Sequence, residues 1–240
     1  MSKDEQHKRR DIVAACLWIN SSGLNPGTAG NISVRYGDTM LISPSGVPYE
    51  QLEPEDIVAM TLTGEYGSYV ASGTNVPSSE WRFHLDIMRA RPDVGAIVHT
   101  HSLYATVLAC ARKDIPPVHY MIAAAGGPSI RCSRYATYGT AELSQAALEA
   151  LEDRNCCILA NHGMIATGPN LAKAQWLAVE LETIAKQYYL TLCIGGPVLL
   201  SEAEIAHVQE RFKSYGPRPK TAAPANENQD APAKKKKKKG

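Results

Sequence analysis

The sequence predicts a three-layer α/β protein, and three observations carry that expectation. Short apolar or alternating runs with strand character take turns with longer stretches of helical period. The helical stretches are numerous enough to cover both faces of one sheet. The chain has 240 residues, 44% hydrophobic and 20% charged, ample for a closed core in one sizeable domain or two small ones.

Each element has a local justification. Residues 5–20 put Ile12, Ala15, Cys16 and Ile19 on one helical face, with Gly23 to close the helix. "NISVRYGDTMLIS" reads as two strands joined at Gly37 and Asp38, and "DIVAMTLTGEYG" as another strand ending in a turn. "VPSSEWRFHLDIMRARPD" opens with serines suited to capping a helix, which Pro92 ends. "GAIVHTHS" is a strand, followed by a helix from about Tyr104. "TYGTAELSQAALEALED" aligns Leu143, Ala147 and Leu151 along a helix, and "CCILANHGMIATG" is an apolar strand with a turn at its middle. "NLAKAQWLAVELETIAKQYYLTL" is a long amphipathic helix opened by Asn170. "SEAEIAHVQERFKSYG" starts with the capping box Ser201-x-x-Glu204.

Composition narrows the functional classes. No apolar run approaches the roughly 18 residues of a membrane-spanning helix. "MSKDEQHKRRDIVAACLWIN" starts charged and turns amphipathic, without a signal-peptide core, so a cytoplasmic protein is expected. The six cysteines form no C-x-x-C pair and are expected to be reduced, buried and apolar in role. Net charge is +1, yet six of the 25 basic residues are Lys234 to Lys239, and the remaining 19 face 24 acidic residues. The body is therefore mildly acidic. From Pro217 onward the chain is rich in Pro, Ala and Lys without apolar periodicity, which predicts a domain over 1–216 and a disordered tail over 217–240. The oligo-lysine reads as a solvated tail; neither a membrane nor a specific nucleic acid is expected as partner.

The chemistry is concentrated in histidines. Residues two apart on a strand point to one face, so His99 and His101 in "VHTHS" project side by side. A divalent ion such as zinc, about 2.0–2.1 Å from each nitrogen, suits such a pair. His162 lies at the turn in "ANHGMI", where its ring can reach an adjacent strand end. Three histidines would leave a zinc position open for substrate. His84, His119 and His207 are weaker candidates, with His84 and His207 expected as structural or surface residues. In "PSSEWRFH", Glu80 follows Ser78 and Ser79 at a helix start, where free N–H groups and the helix dipole favour an anion such as phosphate. The turns "GTAGN" (27–31) and "SPSGV" (43–47) add candidate N–H donors, or serve only as hairpin connectors.

Taken together, "LNPGTAGNISVRYGDTMLISPSGVPYE", "PSSEWRFHLDIMRARPD", "VHTHS", "IPPVHYMIAAAGG", "YATYGTAELS" and "NHGMIA" resemble the class II aldolase/adducin superfamily, and within it the L-fuculose-phosphate aldolase branch. The similarity runs from about residue 8 to Gly216, with motifs in order; the lysine tail has no counterpart. The resemblance implies a mostly antiparallel central sheet and a cyclic homotetramer with sites at subunit interfaces. It implies one zinc per subunit on His99, His101 and His162, with Glu80 as a ligand at rest and the acid/base once substrate displaces it. Gly30, Asn31, Ser45, Gly46, Ser78 and Ser79 would hold the phosphate. Position 45 is often Thr in the motif; Ser keeps the hydroxyl. Tyr120 would reach into a neighbouring subunit's site. Tyr215 resembles a C-terminal Tyr that closes over substrate, or is a surface aromatic at a helix end.

The activity so implied is reversible cleavage of L-fuculose 1-phosphate to glycerone phosphate and L-lactaldehyde through a metal-stabilised enediolate, with no Schiff-base lysine. Glu80 would need a pKa near neutrality, which burial can supply. Aldolases for 5-deoxyribulose or 5-methylthioribulose 1-phosphate would share the metal and phosphate sites and differ only at the aldehyde end. Pentulose-phosphate 4-epimerases usually carry Asp where this chain has Glu80, and adducin-like modules lack the zinc histidines.

Overall fold

A computed structural model describes residues 1–70 and 75–214. Tyr215 and the lysine-rich tail lie outside the described residues.

Seven strands form one sheet: β1 (Asn31–Tyr36), β2 (Thr39–Ile42), β3 (Val58–Thr61), β4 (Tyr69–Val70), β5 (Ala96–Thr100), β6 (Cys156–Leu159) and β7 (Gly163–Gly168). Their order is β4-β3-β2-β1-β5-β7-β6, and every neighbouring pair is antiparallel. Antiparallel neighbours need only short links, which explains the tight turns at Gly37–Asp38 and Ala160–His162. Among the described residues, six α-helices accompany the sheet: α1 (Lys3–Ser21), α2 (Trp81–Ala90), α3 (Leu103–Cys110), α4 (Ala141–Ala150), α5 (Leu171–Cys193) and α6 (Glu202–Phe212).

Side-chain alternation along the strands sorts the core into two halves. Met40, Ile42, Met60, Ile97, Cys157 and Ile165 pack with Phe83, Ile87 and Met88 of α2 and Leu143 and Ala147 of α4. Ile32, Val34, Leu41, Val98, Ile158 and Met164 pack against Ile12, Cys16 and Ile19 of α1, Leu108 of α3 and Leu181 and Ile184 of α5. The expected three layers are present, as is the mostly antiparallel sheet. α6 lies against a 3-10 segment, Tyr120–Ala125, at one side of the second layer.

The cysteine expectation holds only in part. Cys16, Cys156 and Cys157 are buried, with thiols pushed up by desolvation, but Cys110 and Cys193 are exposed; all six are free. Among the described residues, no helix is long and apolar enough to cross a membrane.

Candidate metal centre

Strand register builds the site. Pairing sets Asn31 opposite His99, and His99 opposite Ile165. Odd-numbered residues of β1 and β5 face α2, so Asn31, Ser33 and His99 all look toward the helix that begins after Glu80. β5 ends at Thr100, so His101 lies one residue past the ladder, yet its Nε2 comes within 3.1 Å of the His99 Nε2. The turn joining β6 to β7 places Asn161 in the left-handed region (φ 54°), a conformation Asn tolerates well, and aims His162 back at the strand ends. Glu80 Oε2 lies 3.1 Å from His99 Nε2, and Oε1 lies 3.1 Å from His162 Nε2.

Two glycines make this convergence possible. A Cβ on Gly163 would sit 2.5 Å from the Thr100 carbonyl oxygen and 2.9 Å from the His101 ring. A Cβ on Gly30 would fall 2.8 Å from both the Asn25 side chain and the His99 carbonyl oxygen. Tyr49 adds a 2.5 Å hydrogen bond from its hydroxyl to the Gly30 carbonyl, and Asn25 Oδ1 accepts from the His101 N–H at 3.0 Å.

The donor set fits a divalent cation. His99 Nδ1 lies 2.9 Å from the Met164 carbonyl, which only a protonated Nδ1 can satisfy. A neutral His99 therefore turns a bare Nε2 lone pair inward, as metal-ligating histidines do. Glu80 Oε1 is buried and makes no hydrogen bond, although His162 is near. The donor atoms of Glu80, His99, His101 and His162 all lie within 4.8 Å of one another. Ligands about 2.0–2.1 Å from a tetrahedral ion stand roughly 3.4 Å apart, close to the 3.1 Å that separates Glu80 from His99, Glu80 from His162 and His99 from His101. Lone pairs so crowded repel unless a cation lies between them.

Burial pushes the His101 pKa down to about 4, helped by His99 and His162, so its ring is neutral at ordinary pH. Burial raises the Glu80 pKa, while positive charge on the facing imidazoles of His99 and His162, where they carry a second proton, outweighs that and lowers it below the usual carboxylate range. Desolvation alone therefore does not bring this carboxyl to neutrality.

The helix start also differs from the sequence expectation. α2 begins at Trp81, and Glu80 holds the N-cap position at φ −101°, ψ 11°, without a side-chain cap. Instead Ser78 Oγ accepts from the Glu80 N–H at 3.3 Å, which frees the Glu80 carboxylate for the histidines. Ser78 is buried and Ser79 exposed. A bridge between Pro44 and Pro77, with Ser45 N–H bonded to the Val76 carbonyl, lays Ser45 and Gly46 alongside the serine pair. Asn31 lies inside the site, its Nδ2 donating to Glu80 Oε2 at 3.0 Å and its Oδ1 lying 2.5 Å from His84 Nε2. Tyr120 stands apart, half-exposed, with its ring 4.6 Å from that of His119. His207 is exposed and His84 completely buried, the surface and structural places expected of them.

Sequence reasoning missed Asn25, Tyr49 and the Met164 carbonyl. It also set His84 aside, although Glu80 and His84 lie four apart on one helical face.

An antiparallel sheet capped by three imidazoles and one carboxylate, which could together hold a metal ion, has the ligand set of a metal-dependent enzyme. Residues 10–189 match the family model described as class II aldolase and adducin N-terminal domain, and the chain belongs to that family. It is an aldolase, a carbon–carbon lyase. The chain is 52% identical over 208 residues to the 5-methylthioribulose-1-phosphate/5-deoxyribulose-1-phosphate aldolase of Rhodospirillum rubrum, covering 87% of this chain and 92% of that protein. It is 49% identical over 208 residues to the L-fuculose phosphate aldolase of Escherichia coli K12, covering 86% and 94%. A solved L-fuculose 1-phosphate aldolase structure superposes with a TM-score of 0.82 at 40% identity, covering 89% of this chain and 98% of that one.

Proposed function

We propose that the chain cleaves a deoxyketose 1-phosphate between C3 and C4, with L-fuculose 1-phosphate as substrate and glycerone phosphate and L-lactaldehyde as products. The convergence of Glu80, His99, His101 and His162 on one point carries this reading. Zinc is the ion proposed, one per subunit, because three imidazoles and a carboxylate form a donor set that zinc accepts. Bound there, it would supply Lewis-acid stabilisation of charge developing on the substrate oxygens.

The remaining tasks fall to the chain's own residues. Ser45, Ser78 and Ser79, with the turns at Gly30–Asn31 and Gly46, would hold the phosphate. Glu80 would hold and return a proton at C3 from Oε1, the oxygen without a hydrogen-bond partner. In a homotetramer, the exposed Tyr120 would meet a neighbouring subunit's site and donate to the aldehyde oxygen. Six free cysteines suit the cytoplasm as the place of work.

The similarity to the Rhodospirillum rubrum enzyme favours a second reading, in which 5-methylthioribulose or 5-deoxyribulose 1-phosphate is the substrate. Metal and phosphate contacts would be unchanged, and a difference of a methyl or two at the aldehyde end alters discrimination only about 10- to 200-fold.

A coupled assay of glycerone phosphate release tests both readings, using these three sugar phosphates and L-ribulose 5-phosphate as control. L-Fuculose 1-phosphate should give the highest kcat/KM. Preference for either ribulose 1-phosphate would transfer the assignment to the second reading, and no release by zinc-loaded protein would overturn both. Glu80→Gln should still bind zinc stoichiometrically through the three histidines, at weakened affinity, and lose at least about 100-fold in turnover; unchanged rates would remove Glu80 from proton transfer.

A further inference from the structure

His84 has no part in metal binding or phosphate holding, yet it is fully buried on α2 with both ring nitrogens engaged. Its ring stacks on Phe83 with centroids 4.5 Å apart. Nδ1 lies 2.7 Å from Ser33 Oγ, and Nε2 lies 2.5 Å from Asn31 Oδ1. Asn31 Nδ2 in turn reaches Glu80 Oε2 at 3.0 Å. Ser33, His84, Asn31 and Glu80 thus form an unbroken buried line from β1 through α2 to the metal centre.

We infer that His84 is a positioning residue for Glu80, acting through the Asn31 amide; this deepens the proposed aldolase reading and rests on it.

Elementary chemistry fixes the direction of the line. A carboxylate accepts only, so the Asn31 group facing Glu80 must be its NH2. The Asn31 oxygen is thereby turned to His84 and needs a donor there. Nε2 of His84 must carry a hydrogen, and this holds whether the ring is neutral or charged. An amide has two near-isosteric orientations, and without that N–H the reverse one would set the Asn31 oxygen against the Glu80 carboxylate. Like partial charges would then push Glu80 out of place. With the line intact, Oε2 is pinned between the Asn31 amide and His99, and Oε1 is left without a hydrogen bond, facing His162. His84 in this way fixes how the Glu80 carboxylate is turned toward the imidazoles.

The test uses zinc alone as probe, measured by chelator competition on the full chain. His84→Phe keeps the ring and its stacking but removes the donor; it should weaken zinc binding by roughly 10- to 100-fold, the usual effect of removing an outer partner of a metal ligand. His84→Gln, whose amide nitrogen reaches about as far as Nε2, should stay within about three-fold of wild type, a rescue that a merely structural role would not produce. Asn31→Ala should match the His84→Phe loss, and the double variant should be no weaker than either single, since one line is broken once. Wild-type zinc affinity in His84→Phe, or losses that multiply in the double variant, would overturn the proposal. If His84→Phe does not fold, a neutron-diffraction map of the wild-type protein decides. A deuteron on His84 Nε2 pointing at Asn31 is expected, and a deuteron on Nδ1 alone would overturn it. Failure of the aldolase reading would look different: wild-type protein would release no glycerone phosphate while the hydrogen positions stayed as stated.

Discussion

Gly163 has the least freedom of any residue at the site. An added methyl would meet the Thr100 carbonyl at 2.5 Å and the His101 ring at 2.9 Å, and backbone cannot yield as a flexible side chain can. Gly163→Ala should therefore tilt the β6–β7 turn, separate His162 from His101 and weaken zinc affinity by at least about ten-fold, as expected when supporting geometry is lost. Chelator competition reads the result; wild-type affinity would mean that the turn relaxes freely. The histidines themselves were legible because their residue type and spacing announce a metal: H-x-H on a strand, N-H-G at a turn. Their supports were not. Asn25 lies 76 residues from the His101 amide it accepts, and the Met164 carbonyl lies 65 residues from His99. Such pairings follow from strand order, which no local pattern states. His84 was discounted because a lone histidine on an apolar helical face gives no sign that a strand 53 residues away presents it with an amide.

At the scale of elements, periodicity and turn chemistry located nearly every strand and helix, while helix ends depended on distant partners. Ser102 occupies the N-cap of α3 but makes no capping bond, and its hydroxyl is buried without a partner. Glu182, from α5, replaces it, accepting from Tyr104 N–H at 2.8 Å and Ala105 N–H at 2.9 Å. A carboxylate at a helix N-terminus satisfies two free donors and opposes the positive end of the dipole. α3 begins two residues after His101, so this cap anchors the helix that follows the second histidine. Glu182→Ala should cost about 1–2 kcal/mol in urea unfolding, and Glu182→Gln less, because one acceptor remains. Equal stability of Glu182→Ala and wild type would show that solvent caps α3 adequately. α2 shows the converse: its serines do not cap it directly, and Ser78 braces the Glu80 amide so that the carboxylate can face the metal centre.

For the molecule as a whole, the donor atoms come from four places in the chain: the start of α2, the end of β5, the first residue beyond it, and the β6–β7 turn. An ion held by all four joins the helical layer of α2 and α4 to the sheet's centre and to its β6 side, regions otherwise held by side-chain packing. Binding to the folded chain alone stabilises it by RT ln(1 + [L]/Kd), about 2.7 kcal/mol at a hundred-fold excess over Kd. For a domain of this size, each kcal/mol moves Tm by roughly 2–4 °C. Saturating zinc should thus raise the Tm of chelator-stripped wild-type protein by about 5–10 °C. His101→Ala, short of one ligand, should show little of that rise and no stoichiometric zinc. The control matters because free cysteines and histidines of an unfolded chain also bind zinc, which would lower rather than raise Tm. Equal rises in wild type and His101→Ala would place the stabilising ion elsewhere in the molecule, and stoichiometric zinc retained by His101→Ala would remove that imidazole from the ligand set.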